Sequence, residues 1–396
     1  MVLPRKILLC GVSYFQISKK FLNFNIWYFF RIFVYIMLCS TIIMCSSKLQ
    51  KYISIPKCIG EFSSDKYGNL LNNKTENKCY LREEVIKQDI LCLDLKSSQI
   101  QFEDITETVK LNFRKNILKN LIVPGCTLKE SLTGAEFYCS SGILKKFATS
   151  QFPQSSIHVG CIKIEDVIVM VDSRLPDEYQ KSLLGEFQFS ISNHIQPELR
   201  RKPPPRKREQ EKYLNTLIAF LKKNSITGEQ VFKEGVKDWK QYRRAYVTEI
   251  IDPDNEGEPL KIAYNSIIQC VDEETDKPVT VKIRPSYYED DNSNFNQTVI
   301  SKIYLNSILH ENNKVIIGKI DANKIVNRIK LIKSNELLEK FSIDERTLYK
   351  NLCCVLNKIK HAFDIDKDNC VKYVHVFKTP YTDKFHVRCC GAIPKC

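Results

Sequence analysis

Glycine is scarce in this chain, with thirteen in 396 residues, well under the roughly 7% of average usage. Glycine supplies the positive-φ turns and close backbone approaches on which phosphate-cradling loops depend, so its shortage argues against elaborate catalytic loops. No H-E-x-x-H, G-x-S-x-G or P-loop pattern occurs. The local signatures of zinc metalloproteases, α/β-hydrolases and P-loop nucleotide binding are therefore missing. Acidic residues are absent from the first 47 positions. No segment repeats at a fixed period.

Cysteine, by contrast, is abundant, and its spacing carries the strongest expectation. Of sixteen, three (Cys10, Cys39, Cys45) lie in an apolar, basic leader. Six follow (Cys58, Cys79, Cys92, Cys126, Cys139, Cys161), Cys270 stands alone, and six crowd the end (Cys353, Cys354, Cys370, Cys389, Cys390, Cys396). Behind a leader, that grouping predicts an exported protein with two disulfide frameworks. Arg5, Lys6, Lys19 and Lys20 precede an apolar stretch from Phe21 to Cys45 interrupted by Arg31, and Ser46 and Ser47 follow. This is the order of a secretory signal, or of a type II signal anchor if it is not cleaved.

Composition allows two ordinary domains, since hydrophobic residues make up 43% of the chain. The best linker is basic and proline-rich, Arg200 to Arg208 with Pro203-Pro204-Pro205 at its centre, because consecutive prolines favour an extended polyproline conformation. The expected organisation is a leader over 1–47, a six-cysteine domain over 48–196, a linker over 197–210 and an α+β domain over 211–396. Arg206, Lys207 and Arg208 offer a processing site to a basic-specific protease. Helices are expected over Val109–Leu121, Glu211–Lys223, Glu229–Arg244 and Ile343–Phe363, the last capped by Ser342 with Glu345. Strands are expected within Ile157–Val171 and over Glu186–Ile195, Leu260–Val271, Pro278–Arg284, Val299–Leu305 and Lys314–Ile320. Lys372–Phe377 and Lys384–Cys390 should close a hairpin.

Adjacent Cα atoms lie about 3.8 Å apart, below the usual disulfide separation. Neither Cys353–Cys354 nor Cys389–Cys390 should therefore pair internally, and the predicted result is a C-terminal helix stapled to the hairpin. Cys270 is left over, either as a buried thiol or as the link in a covalent dimer. Asn73 and Asn296 head Asn-x-Thr sequons that a secretory pathway would glycosylate.

Few side-chain constellations suggest chemistry. Asp364-Ile365-Asp366-Lys367-Asp368 opens like a calcium loop, but Asn369 and His375 stand where the glycine and the bidentate glutamate belong. His375 and His386 on the hairpin strands would suit zinc or copper only if they faced one another; surface histidines are the simpler expectation. No cofactor or metal is expected. The net charge of +14, five of it in the leader, suits an acidic glycan or anionic surface, and export disfavours nucleic acid. The sequence thus predicts a secreted or surface-exposed, non-catalytic interaction protein for an extracellular protein or anionic glycan, touching membrane only through its leader. The alternatives are a secreted hydrolase with dispersed catalytic residues and a precursor cut near Arg208.

Overall fold

The computed structural model describes residues 51–87, 92–96, 102–103, 107–153, 155–172, 205–222, 236–237, 240–285, 297–312, 314–365, 373–382 and 385–390. Residues 52–396 form one compact unit. Its frame is an eight-stranded sheet in the order β1 (Lys57–Ser63), β5 (Tyr242–Asp252), β6 (Asn255–Ile268), β2 (Phe137–Ser140), β4 (Val167–Asp172), β3 (Ile157–Ile164), β11 (Tyr373–Lys378) and β12 (His386–Cys390). A second sheet runs β7 (Cys270–Val271), β8 (Pro278–Pro285), β9 (Lys314–Ile320), β10 (Ile325–Lys333) and the short strand Leu93–Asp94.

Period-two patterning explains how the large sheet is filled on both faces. On β6, Leu260, Ile262, Tyr264 and Ile268 enter one apolar cluster while Ala263 enters another. The first cluster is covered by helices α2 (Ser141–Ala148), α4 (Gln297–Leu309), α5 (Ser334–Phe341) and α6 (Glu345–Asp364). The second packs under α1 (Glu107–Leu121) through Phe113 and Ile117. Helix α3 (Pro205–Leu221) lays Tyr213, Leu217 and Leu221 on the second sheet.

Two corrections concern architecture. Strands from before and after the basic proline-rich segment alternate within the eight-stranded sheet, so the fold is mixed α+β and not two disulfide-stabilised domains on a linker. The linker itself is partly helical, since α3 begins at Pro205 and takes in Arg206, Lys207 and Arg208. Nor are there disulfides among the described residues: Cys58, Cys79, Cys92, Cys126, Cys139, Cys161, Cys270, Cys353, Cys354 and Cys389 are all free. Cys10, Cys39, Cys45, Cys370 and Cys396 lie outside the described residues, as does the leader, and nothing is described of the Cys390 side chain.

The C-terminal helix and hairpin exist without a staple. Cys353 is wholly buried in the stripe that includes Leu348, Leu352, Val355 and Ile359, so it serves as a small apolar side chain. Cys139, Cys161 and Cys270 are likewise buried, and burial pushes the Cys270 and Cys353 thiols up to about 12. The α6 cap is Asp344, which accepts from Thr347 N at 3.1 Å. Ser342 instead ends α5 at φ 48°, and Glu345 accepts a bond from Tyr304 OH at 2.6 Å.

Two local expectations also fail. Residues 299–305 lie in α4, where their apolar run is covered on nearly every side, a case in which tertiary packing overrides β-propensity. The end of the expected helix at Glu229–Arg244 is strand, Val236–Lys237 and the start of β5. The expected strand at Glu186–Ile195 falls outside the described residues.

If the thiols are free, the chain unfolded in denaturant without reductant should alkylate at all ten of these cysteines. Prior reduction should leave the labelled mass unchanged; a protected pair joining α6 to β12 would contradict the structure.

Candidate functional site

The chemistry gathers where β2 gives way to α2. Strand β2 runs parallel to both of its neighbours, β6 and β4, so the carboxyl ends of β2 and β6 open in the same direction, the end at which α/β sheets commonly bind ligands. One residue beyond the Ser140↔Asn265 pair, Ser141 Oγ lies 2.6 Å from Ser266 Oγ. Ser266 in turn bonds His310 Nε2, just past the end of α4.

Asn306, one turn earlier on α4, organises the rest. Its Oδ1 accepts from Lys145 Nζ at 2.5 Å. Its Nδ2 then faces Thr280 Oγ1 at 2.9 Å and His310 Nδ1 at 3.3 Å. The last contact makes Nδ1 the acceptor and leaves the imidazole proton on Nε2, pointing at Ser266. Burial first, then Lys145, Lys282 and Arg244, push the His310 pKa well below its ordinary value. His310 is thus a neutral donor to Ser266. It cannot take that hydroxyl's proton through Nε2, so this buried pair is not the nucleophile and base of a serine hydrolase.

The cations have a different role. β8 turns Val279 and Val281 toward α3, so alternation sends Thr280, Lys282 and Arg284 toward α2 and α4. Lys145 and Lys282 are half-buried, and neither has a carboxylate partner among the described residues. Burial, followed by Lys282 and Lys302, brings the Lys145 pKa down to about 7. Burial and Arg284 bring that of Lys282 down to about 8. Nearby cations are neutralised in the ordinary way: Lys146 pairs with Asp172, and Arg244 pairs with Glu61 at 2.8 Å and Asp276 at 2.7 Å. Lys145 and Lys282, with Lys302 and Arg284 acting on them, form a half-buried positive cluster drawn from α2, β8 and α4.

None of these residues was singled out from the sequence. The available signal was the alternation Val279-Thr280-Val281-Lys282-Ile283-Arg284, which also describes a strand with one wet face. The residues that were singled out lie elsewhere. Cys58, Cys92, Cys126, Cys354 and Cys389 are exposed thiols and Cys79 is half-buried. Asn73 is exposed in a turn, its Oδ1 accepting from Thr75 N at 3.2 Å; Asn296 lies outside the described residues. His375 sits opposite Arg388 and not His386, whose partner is Phe377. His361 is exposed on α6.

No protein-family model and no curated protein matches this sequence. Solved structures do share its fold. Rai1 of Candida albicans, in complex with pU5 and Mn2+, is 16% identical and aligns over 86% of this chain and 90% of its own, with a TM-score of 0.61. Rai1 of Scheffersomyces stipitis, in complex with (3'-NADP)+ and a calcium ion, is 16% identical over 87% and 91%, with a TM-score of 0.62. Dxo1 of K. lactis, in complex with manganese, is 10% identical over 87% and 93%, with a TM-score of 0.55.

At such identities the likeness is one of fold, and it extends over most of each chain. The expected non-catalytic, secreted, disulfide-rich binder of an extracellular protein or acidic glycan is therefore withdrawn, together with its glycoprotein character and its exclusion of nucleic acid. Free thiols remove the premise for export, and a fold known from complexes with an oligonucleotide and a dinucleotide removes the rest. The neighbours' cations pose a further question. Hard divalent ions take several oxygen ligands, carboxylates prominent among them. Among the described residues no three His, Cys, Asp or Glu converge, and the deep side chains here are lysines. The described residues do not fit such an ion.

Replacing Asn306 by Leu would remove the acceptor of Lys145 and the amide donor to Thr280 and His310 at once, and should lower stability by about 1–3 kcal/mol in urea unfolding. The lysines also set a pH dependence. With Lys145 lowered from 10.5 to about 7, the unfolded chain binds a proton that the folded chain lacks across that interval. Unfolding free energy should therefore rise from pH 7 toward 10, and Lys145→Met should flatten the rise.

Proposed function

We propose that this chain is an enzyme acting on phosphorylated nucleotides or RNA ends, with the substrate's phosphates seated at Lys145, Lys282, Lys302 and Arg284. The observation that carries this reading is the cluster itself, in which half-buried Lys145 and Lys282 have no carboxylate partner among the described residues. Such a cluster is costly without an anion and favourable with one, because charge-assisted bonds strengthen where solvent is excluded. The fold supports the choice of anion, since structures sharing it were solved with pU5 and with (3'-NADP)+.

The reaction class we infer is hydrolysis at phosphorus. Water supplies the new P–O bond, the old P–O bond breaks, and Lys145 gives its proton to the leaving oxygen and regains one from the water. A lysine with a pKa of about 7 suits this role, since general acids work best with pKa values near the operating pH. Ser266 and His310 position the site: they tie β6 to α2 and α4 and keep Asn306 correctly turned toward Lys145.

Incubation of the full chain with pU5 or (3'-NADP)+, with products read by mass spectrometry, tests the activity; an unchanged substrate would overturn it. Lys145→Met should lower turnover at least tenfold, with a KM change smaller than the kcat change. If three or four cations meet phosphate, log affinity for pU5 should fall against log salt with a slope of about −2 to −3. Binding that ignores salt would exclude the cluster as the phosphate site.

A further inference from the structure

We propose that the cluster of Lys145, Lys282, Lys302 and Arg284 holds its phosphate ligand directly, in place of the divalent cation present in the neighbouring structures, so that ligand binding by this chain needs no metal. This deepens the phosphate-site reading above and rests on it. Three observations converge. The first is ligand chemistry: no three His, Cys, Asp or Glu side chains converge among the described residues, whereas solved structures of the same fold contain Mn2+ or calcium.

The second is charge. A divalent cation placed beside Lys145 and Lys282 would add to a local positive charge that already depresses both lysines and His310. An anion relieves the same repulsion. Nearby carboxylates are committed elsewhere: Asp172 to Lys146 and Glu311 to Lys277, the latter at 2.8 Å. The third is rigidity. Lys145 is aimed by Asn306, whose amide is fixed by Thr280 and His310, and Lys282 projects from a strand whose opposite face is buried against α3. Cations held in this way are preorganised for a ligand, which lowers the ordering cost of binding.

A proton-linkage signature follows. An anion seated on Lys145 restores its charged form, so binding near pH 8 should draw about one proton from solution. A metal bridge would leave the lysines unprotonated or displace protons.

Calorimetric titration of the full chain with pU5, in EDTA and in Mn2+, tests the proposal, with Mn2+ alone as a third titration. Affinities within about twofold of each other in EDTA and Mn2+, proton uptake at pH 8 measured across buffers of different ionisation enthalpy, and no saturable uptake of Mn2+ alone are expected. Lys302→Met, on a partly exposed helix position, should weaken pU5 about fivefold or more without disturbing the fold; Lys145→Met should abolish the proton uptake. Binding of pU5 only when Mn2+ is present would overturn the metal-free inference and leave the phosphate site standing. No binding in either buffer would overturn the phosphate site, and the inference with it.

Discussion

The side-chain amide of Asn306 is the constraint from which the site takes its shape. It accepts from Lys145 on α2, and donates to Thr280 on β8 and toward His310 beyond α4. Helix α2 belongs to the large sheet and β8 to the small one, so a single amide joins the two layers where their polar faces meet. Each bond by itself contributes about 1 kcal/mol. Together they decide which tautomer His310 adopts, which way Lys145 points, and how Ser266 links the strand ends to the helices above them. Loss of the amide would affect every one of these at once, although Thr280 would keep its bond from Asn312 Nδ2 at 3.1 Å.

Around that amide, Lys145 and Lys282 have no carboxylate partner among the described residues. Elsewhere the same fold neutralises its cations carefully: Arg244 carries two carboxylates, and Asp272 with Glu83 flanks Lys314. A local departure from such a pattern is the kind of inconsistency that folded chains retain at functional sites. Arg243 provides a contrast on the opposite face. It is almost fully buried, and its two Nη atoms donate to Asn265 at 2.9 Å and Gln241 at 3.1 Å above the Phe113 ring, while its Nε has no hydrogen-bond partner. There the guanidinium is enclosed by its own partners, and it reads as packing. Lys145 and Lys282 remain partly open to solvent, and that difference separates a core cation from a ligand-facing one.

Much of the local structure was legible. The 3.6-residue stripe of Leu348, Leu352, Val355 and Ile359 marks α6, and the strand expected over Lys314–Ile320 is β9. The global reading failed through the cysteines. Their grouping has the form of a disulfide framework, but Cys139, Cys161, Cys270 and Cys353 fill core positions in place of valine or alanine, and nothing in spacing distinguishes a buried thiol from a paired one. The site was illegible for a related reason: its residues come from four elements separated by up to 169 positions, from Ser141 to His310, and each is an ordinary residue of its own helix or strand. The pairing of β2 with β6, a parallel contact across more than a hundred residues, brings Ser141 to Ser266, and α4 adds Asn306 and His310.

That interleaving has a temporal side. The large sheet closes at one edge with β3 against β11 and β11 against β12, so a strand near residue 160 waits for a partner near 375. Contacts so distant along the chain slow the search for the native state, and they leave β3 open until residues 373–378 have been made. Until then β3 presents an unpaired edge rich in Ile and Val, the kind of surface on which unfinished chains associate. For this molecule, the arrival of β11 is the step that takes a growing chain out of danger.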